Sequence, residues 1–202
     1  MSGPRAIGVF GGSFNPPHLG HLAIASDACA LLDLERVLFV PAAAPVHRPV
    51  EGAVPPETRV DMTRLAVAGD DRFAVSTIEI DLGLRYTIEV VTELGRRLAP
   101  APLFFLLGSD SLAQFGAWHE PEGILERCRL AVAPRPGDDP SGIERVVAGL
   151  GPDKAVVLRS AALDISSSMI RDRLRRGLPI RYLVPAAVEG YVLDHGLYRA
   201  AT

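Results

Sequence analysis

Residues 6–21 read AIGVFGGSFNPPHLGH, and this stretch decides the fold. The apolar run 6–10 predicts a short β-strand, which ends at Gly11 and Gly12. The two prolines that follow suit a turn or a first helical position, so the next helix is expected to begin near Leu19. A strand, a glycine turn and a helix opening in this order predict a site where a ligand approaches the main chain closely.

Two histidines lie at the predicted helix opening. His18 and His21 are three residues apart and share one face of the first turn. Free main-chain N–H groups and the positive end of the helix dipole lie there too, and imidazole donates to phosphate oxygens and can be protonated near neutral pH. We therefore predict a phosphate site. The alternatives are a histidine pair that only caps a packed helix and a zinc site, for which no clear third ligand set is present.

The composition indicates a folded protein of modest size. The chain has 202 residues, of which 48% are hydrophobic and 22% charged, and its net charge is −3. We expect one domain over 1–202, no nucleic-acid partner and no membrane partner. Cys29 and Cys128 form no metal or redox motif, which favours reduced thiols and a cytoplasmic location.

Apolar strands alternate with helical segments along the whole chain. This alternation predicts an α/β fold with a Rossmann-like, doubly wound parallel sheet whose ligands bind at the carboxyl ends of the strands. The predicted strands are 6–10, 36–40, 74–80, 103–107, 130–133 and 155–158. The predicted helices are 19–32, 56–68, 87–98, 143–150, 167–176 and 185–195.

A second anion site is predicted near the C-terminus. Ser166 or Ser167 is a natural N-cap for the helix that follows, and its amides and hydroxyls can bind an anion. Arg171 falls one turn into that helix, where its guanidinium can curl back to a phosphate. An ordinary capped helix with solvated arginines is the alternative. Two such helix openings in one chain favour a polyphosphate ligand.

Further candidates follow the middle strands. Asp110 comes directly after the most apolar strand and can bind ribose hydroxyls or cap a helix. Trp118 lies in a polar context, where a half-exposed ring can stack on a planar heterocycle. Thr87 is a fair N-cap for its helix. Arg48 lies in a loop that could bring a cation to the same edge of the sheet, although a solvated loop is the interpretation that the sequence alone favours.

Taken together, these motifs resemble those of the nucleotidyltransferase superfamily, marked by His-x-Gly-His after a glycine turn. The resemblance is closer to the bacterial nicotinate-nucleotide adenylyltransferases and runs from the first strand almost to Arg199. The segments that carry it are residues 11–22, 40–48, 86–87, 108–112, Trp118, 135–137, 165–171 and 196–199.

The resemblance implies a nucleotidyltransferase-type fold with C-terminal helices and transfer of AMP from ATP to nicotinate mononucleotide, with Mg²⁺ bound to ATP. His18, His21, Arg171, Arg48, Ser166 and Ser167 would contact the phosphates, together with the turn residues Gly11, Gly12, Ser13 and Phe14. Asp110 would hold ribose, Thr87 the pyridine carboxylate and Trp118 the pyridine ring. A homo-oligomer is possible.

Some residues depart from the pattern of this family. Asn15 stands where many relatives have Asp, and Ser168 replaces a frequent Thr. Arg85 stands where Ser is usual and His119 where Tyr is common, and both lie near the pyridine pocket that the resemblance implies. Nicotinamide mononucleotide and phosphopantetheine are alternative acceptors, and a non-catalytic nucleotide sensor is the alternative outside catalysis.

Overall fold

A computed structural model describes residues 3–43, 54–161 and 163–199 of the protein. Its centre is a parallel sheet of six strands in the order β3-β2-β1-β4-β5-β6. This is the strand order of a doubly wound α/β fold, which confirms the predicted fold class. The strands are β1 (Ile7–Gly12), β2 (Arg36–Pro41), β3 (Phe73–Val75), β4 (Leu103–Gly108), β5 (Arg129–Ala133) and β6 (Ala155–Val157).

Helices connect the strands and extend the chain beyond the sheet. They are α1 (Leu19–Leu31), α2 (Pro56–Val67), α3 (Ile78–Asp81), α4 (Thr87–Leu98), α5 (Ser109–Leu112), α6 (Pro121–Arg127), α7 (Pro140–Gly149), α8 (Ser167–Arg175) and α9 (Ala186–Asp194). A short 3-10 helix covers Phe115–Ala117.

The sheet is buried on both faces, which explains why β4 is apolar at nearly every position. On one face, Phe105 and Leu107 pack in a core with residues of α4, α6 and α7. On the other face, Phe104 and Leu106 pack in a core with residues of α1. A third cluster joins α2 to the C-terminal helices α8 and α9, so these helices are packed against the rest of the protein.

The strand order places the β1–α1 turn at the centre of the carboxyl edge. β1 lies between β2 and β4, so the chain winds outward in opposite directions on either side of the β1–β4 pair. Phe10 is in register with Leu106, which brings Gly12 and Gly108 to the same edge. Ligands of doubly wound sheets bind at this kind of switch point.

One predicted strand is wrong over part of its length. The strand predicted for 74–80 ends at Val75, and Ile78–Asp81 forms the helix α3. The amides of Ile80 and Asp81 both donate to the carbonyl of Thr77, which closes a helical turn. Residues 109–112, 115–117 and 121–127 are also helical without having been predicted, and α7 begins three residues early, at Pro140.

Candidate active site

A buried arginine holds the glycine turn to the end of β2. Arg59, on α2, is only 3% exposed. Its guanidinium donates to the carbonyls of Ser13 at 2.8 Å, Ala42 at 2.5 Å and Ala43 at 3.2 Å. Hydrogen bonds from a charged donor are among the stronger ones in a protein, so the turn is held in one conformation. Nothing in the sequence separates Arg59 from the exposed Arg64 of the same helix, and Arg59 was not predicted.

The two predicted histidines form a stacked pair at the opening of α1. Their ring centroids lie 3.6 Å apart, with the planes 29° from parallel. The main-chain N–H of His18 donates to Nδ1 of His21 at 3.1 Å. Because Nδ1 accepts this bond, the proton of the neutral His21 ring is on Nε2.

Both imidazoles are neutral in the folded protein. Burial, and after it the charge of Arg135, together lower the pKa of His18 from 6.5 to about 4. Burial, then His18, then Arg135 hold the pKa of His21 well below its ordinary value. The sequence suggested rings that can be protonated near neutral pH; the lowered pKa values instead favour neutral rings, each with one N–H group and one acceptor nitrogen.

Gly20 makes room for the histidine pair. A Cβ at this position would lie 3.0 Å from Nδ1 of His18 and 3.1 Å from its Cε1. Such contacts are tighter than most real Cβ contacts, so a larger residue would displace the ring. The glycine between the two histidines therefore lets the His18 ring lie flat against the first turn of α1.

The glycines before the turn have a packing role as well. A Cβ at Gly11 would lie 3.2 Å from the Phe105 ring, and one at Gly12 would lie 3.1 Å from the Phe14 ring. Phe14 itself is buried, and its ring packs edge-on against His21 with centroids 5.1 Å apart. The Phe14 side chain packs against His21 and is not exposed, so Phe14 can contact a ligand only through its main chain.

The second predicted helix opening lies against the first. Ser166 is the N-cap of α8, and its Oγ accepts from the amide of Met169 at 3.2 Å. Ser167 Oγ donates to the carbonyl of Pro16 at 2.8 Å. Arg171 reaches back from α8, and its Nη1 donates to the carbonyl of Asn15 at 2.8 Å. The two openings therefore converge, and His18, His21, Ser166, Ser167 and Arg171 are called the two-helix site below.

The C-terminal segment completes the turn. The Tyr198 hydroxyl donates to Oδ1 of Asn15 at 2.6 Å, and Asn15 is fully buried. Burial raises the pKa of the Tyr198 hydroxyl, so it keeps its proton and remains a donor. Tyr198 adopts a φ of 62°, a strained backbone for a residue with a side chain, which indicates that this contact is held firmly.

Two predicted acceptor-binding residues, Thr87 and Trp118, belong to the segments that cover the face of the sheet opposite α1. Trp118 is half-buried, with its ring 6.0 Å from that of Phe105 and 5.4 Å from that of Phe115. Thr87 is the first residue of α4, and the N-cap is Tyr86 instead, so the capping role of Thr87 was wrong. The ring of Tyr86 lies against that of His119, with centroids 4.2 Å apart.

Asp110 lies at the predicted edge and forms an ion pair. Its Oδ2 accepts from Nη2 of Arg135 at 2.8 Å, and both side chains are half-exposed. A cavity of about 340 Å³ adjoins this pair, between α5 and α7. Among the described residues that were predicted for the site, only Asp110 lines this cavity. The cavity is therefore separate from the place where the two histidines lie.

Three further expectations concern Arg48, a metal site and a membrane span. Arg48 lies outside the described residues. Within 3–43, 54–161 and 163–199, no three His, Cys, Asp or Glu side chains gather in a group able to hold a metal ion. In the same ranges, no helix has the length and apolar character needed to span a membrane.

Comparison with known proteins gives consistent matches. The family model described as Cytidylyltransferase-like matches residues 9–173. A Thermus thermophilus protein named "Probable nicotinate-nucleotide adenylyltransferase" is 45% identical over 195 residues, which cover 96% of this chain and 99% of the relative. A Leifsonia xyli protein of the same name is 41% identical over 201 residues, covering 98% and 96%.

Solved structures share the fold at lower identity. The nicotinic acid mononucleotide adenylyltransferase of Plasmodium falciparum complexed with NaAD superposes with a TM-score of 0.79 at 17% identity, covering 96% of this chain and 97% of the other. The same enzyme complexed with APC gives a TM-score of 0.78, also at 17% identity, with the same coverage. The sheet and its helices thus have the nucleotidyltransferase architecture.

Proposed function

Because this chain belongs to the nicotinate-nucleotide adenylyltransferase family, we propose that it transfers AMP from ATP to nicotinate mononucleotide at the two-helix site. The products are nicotinate adenine dinucleotide and pyrophosphate, and the reaction belongs to NAD biosynthesis. One observation supports this location of the reaction: the N-termini of α1 and α8 lie together. Ser167 donates to the carbonyl of Pro16, and Arg171 donates to the carbonyl of Asn15.

The main task of the site is to bring two anions together. The 5′-phosphate of the mononucleotide attacks the α-phosphorus of ATP in line with the departing pyrophosphate. Since this nucleophile is already ionised, the reaction needs aligned donors and positive charge more than a general base. Two helix N-termini that face one point supply oriented N–H groups and the positive ends of two helix dipoles.

The histidines act as fixed donors. With Nδ1 of His21 occupied by the His18 amide, its Nε2–H is the group that donates to a phosphate oxygen. The His21 ring stacks on His18 and packs edge-on against Phe14. These contacts fix the direction of its Nε2–H before the substrate binds. Donors that do not reorganise during the reaction stabilise the transition state at least cost.

The remaining roles follow from position. Arg171 and Ser167, already anchored to the glycine turn, face the triphosphate together with Ser166. Thr87, Asp110 and Trp118 serve the acceptor, with the half-buried Trp118 ring stacking on the pyridine. Mg²⁺ enters bound to ATP and offsets part of its charge. Residues 1–202 act as one domain.

The cellular setting is also a proposal. Cys29 and Cys128 are both buried free thiols, which suits a reducing compartment and supports a cytoplasmic enzyme. Sedimentation of the purified protein would establish whether it forms a homo-oligomer.

The test is pyrophosphate release with MgATP and one acceptor at a time: nicotinate mononucleotide, nicotinamide mononucleotide or phosphopantetheine. We expect release to be fastest with nicotinate mononucleotide. A higher kcat/KM with another acceptor would reassign the substrate. Binding of ATP without pyrophosphate release, whatever the acceptor, would indicate a nucleotide sensor and refute the proposal.

A further inference from the structure

Arg135 lies at the carboxyl edge of the sheet, where the β1–α1 turn of the two-helix site also lies. It follows β5, and its guanidinium pairs with Asp110, which follows β4. Gly108, the last residue of β4, has no side chain beneath the pair. A Cβ there would lie 2.6 Å from Oδ1 of Asp110 and 3.7 Å from Nε of Arg135. The glycine thus allows the carboxylate, and with it the guanidinium, to lie over the carboxyl edge.

The charge of Arg135 acts on the histidine pair. It contributes to the lowered pKa of His18 and of His21, in both cases after burial. Because Arg135 follows β5 at the same edge of the sheet as the β1–α1 turn, its charge can also act on an anion bound at the α1 opening.

The hydrogen-bond partner of Arg135 differs in kind from those of Arg59 and Arg171. Arg59 and Arg171 donate to main-chain carbonyls, which fixes them to the backbone of the turn. Arg135 instead donates to a carboxylate on a half-exposed side chain, and its own side chain is 55% exposed. An ion pair in such a position contributes little to the folding free energy, so its role is not explained by stability.

We propose that Arg135 is a further phosphate-binding residue, which exchanges Asp110 for an oxygen of the triphosphate when MgATP binds. This inference rests on the proposed function. A guanidinium binds phosphate oxygens with two parallel N–H donors, and a triphosphate offers it more negative charge than one carboxylate does. In the unliganded protein, Asp110 keeps the guanidinium at the edge of the site, so this carboxylate orients Arg135 as well as serving the acceptor.

The experiment measures binding of MgATP and of inorganic pyrophosphate by calorimetry, with no acceptor present. We expect Arg135→Ala to weaken both by about tenfold or more, and Arg135→Lys to restore part of the loss. Arg129→Ala is the matched control. Arg129 lies at the opposite end of β5, over the Phe104 ring, and its removal should leave both affinities within about twofold.

A double variant separates a lost contact from an exposed carboxylate. Arg135→Ala leaves Asp110 unpaired, and its negative charge could repel the triphosphate by itself. If Asp110→Asn added to Arg135→Ala leaves MgATP binding weak, the contact with Arg135 is what was lost. Recovery of wild-type affinity in the double variant would overturn the proposal.

The acceptor provides the second arm. We expect the KM for nicotinate mononucleotide to change little in Arg135→Ala. A raised KM for the acceptor with unchanged MgATP and pyrophosphate binding would show that Arg135 serves the acceptor phosphate, contrary to the proposal. The binding measurements need no turnover, so they remain decisive for Arg135 even if the wild-type protein proves to be a nucleotide sensor.

Discussion

Protonation of His18 should destabilise the folded protein in mild acid. Its pKa falls from 6.5 to about 4 on folding, chiefly because the ring is buried, with only 6% of the residue exposed. The folded state therefore binds this proton less readily than the unfolded state does. The contribution to stability is complete above about pH 6.5 and is lost as the pH falls towards the folded pKa.

The size of this loss follows from the two pKa values. A fall from 6.5 to about 4 corresponds to roughly 3 kcal/mol once both states are protonated. At about pH 4.5 most of it, about 2.5 kcal/mol, should already be missing from the free energy of unfolding. His21 changes in the same direction, since its pKa is also lowered by burial.

The measurement is urea unfolding at about pH 8 and about pH 4.5, followed by the fluorescence of Trp118, the single tryptophan. Carboxylates such as Glu93, whose pKa its hydrogen bonds with Arg96 and Arg97 lower to about 2, also respond to acid. His18→Asn is therefore measured beside the wild type, because only the difference in acid sensitivity reports His18. The reasoning fails if the two proteins lose the same free energy, or if NMR titration places the pKa of His18 near 6.5.

Three further substitutions test the site. His21→Ala should keep the fold but lose the oriented donor, which lowers kcat/KM by about a hundred- to a thousandfold; near-normal pyrophosphate release by a folded variant would contradict its role. Gly20→Ala should push the His18 ring aside, because the new Cβ would lie 3.0 Å from its Nδ1, and we therefore expect weaker MgATP binding in calorimetry. Since alanine has the higher helix propensity, the free energy of unfolding should not fall. Tyr198→Phe should cost about 1–3 kcal/mol in urea unfolding, because Oδ1 of Asn15 loses its donor; Tyr182→Phe, at a tyrosine that is 79% exposed, is the control and should cost almost nothing.

The sequence predicted the sheet and the long helices because their signals are local. An apolar run bounded by glycine, proline or a capping serine predicts a helix or strand without knowledge of its tertiary contacts. Ser166, the N-cap of α8, is such a boundary. The segment after Val75 shows the limit. Ile78 and Ile80 fit an alternating strand, but a run of this length also fits one helical turn, and the packing of Ile78 decided the outcome.

The supporting contacts of the site were beyond the reach of the sequence. His18, His21 and Arg171 could be singled out because each lies beside a recognisable helix opening. Arg59 lies in an ordinary amphipathic helix, and only the tertiary fold brings its guanidinium to the carbonyl of Ser13. The pairing of Arg135 with Asp110 joins two residues that follow neighbouring strands and are 25 positions apart, which no local pattern encodes.

The bond between Tyr198 and Asn15 spans 183 positions of the chain. During synthesis on the ribosome, the histidine turn emerges early, whereas α8 and Tyr198 follow more than a hundred residues later. A nascent chain can therefore begin to build its sheet but cannot assemble the phosphate contacts until α8 and Tyr198 have been made. A fragment that ends before α8 should therefore be inactive, because it lacks the contacts of Ser167, Arg171 and Tyr198 with the histidine turn.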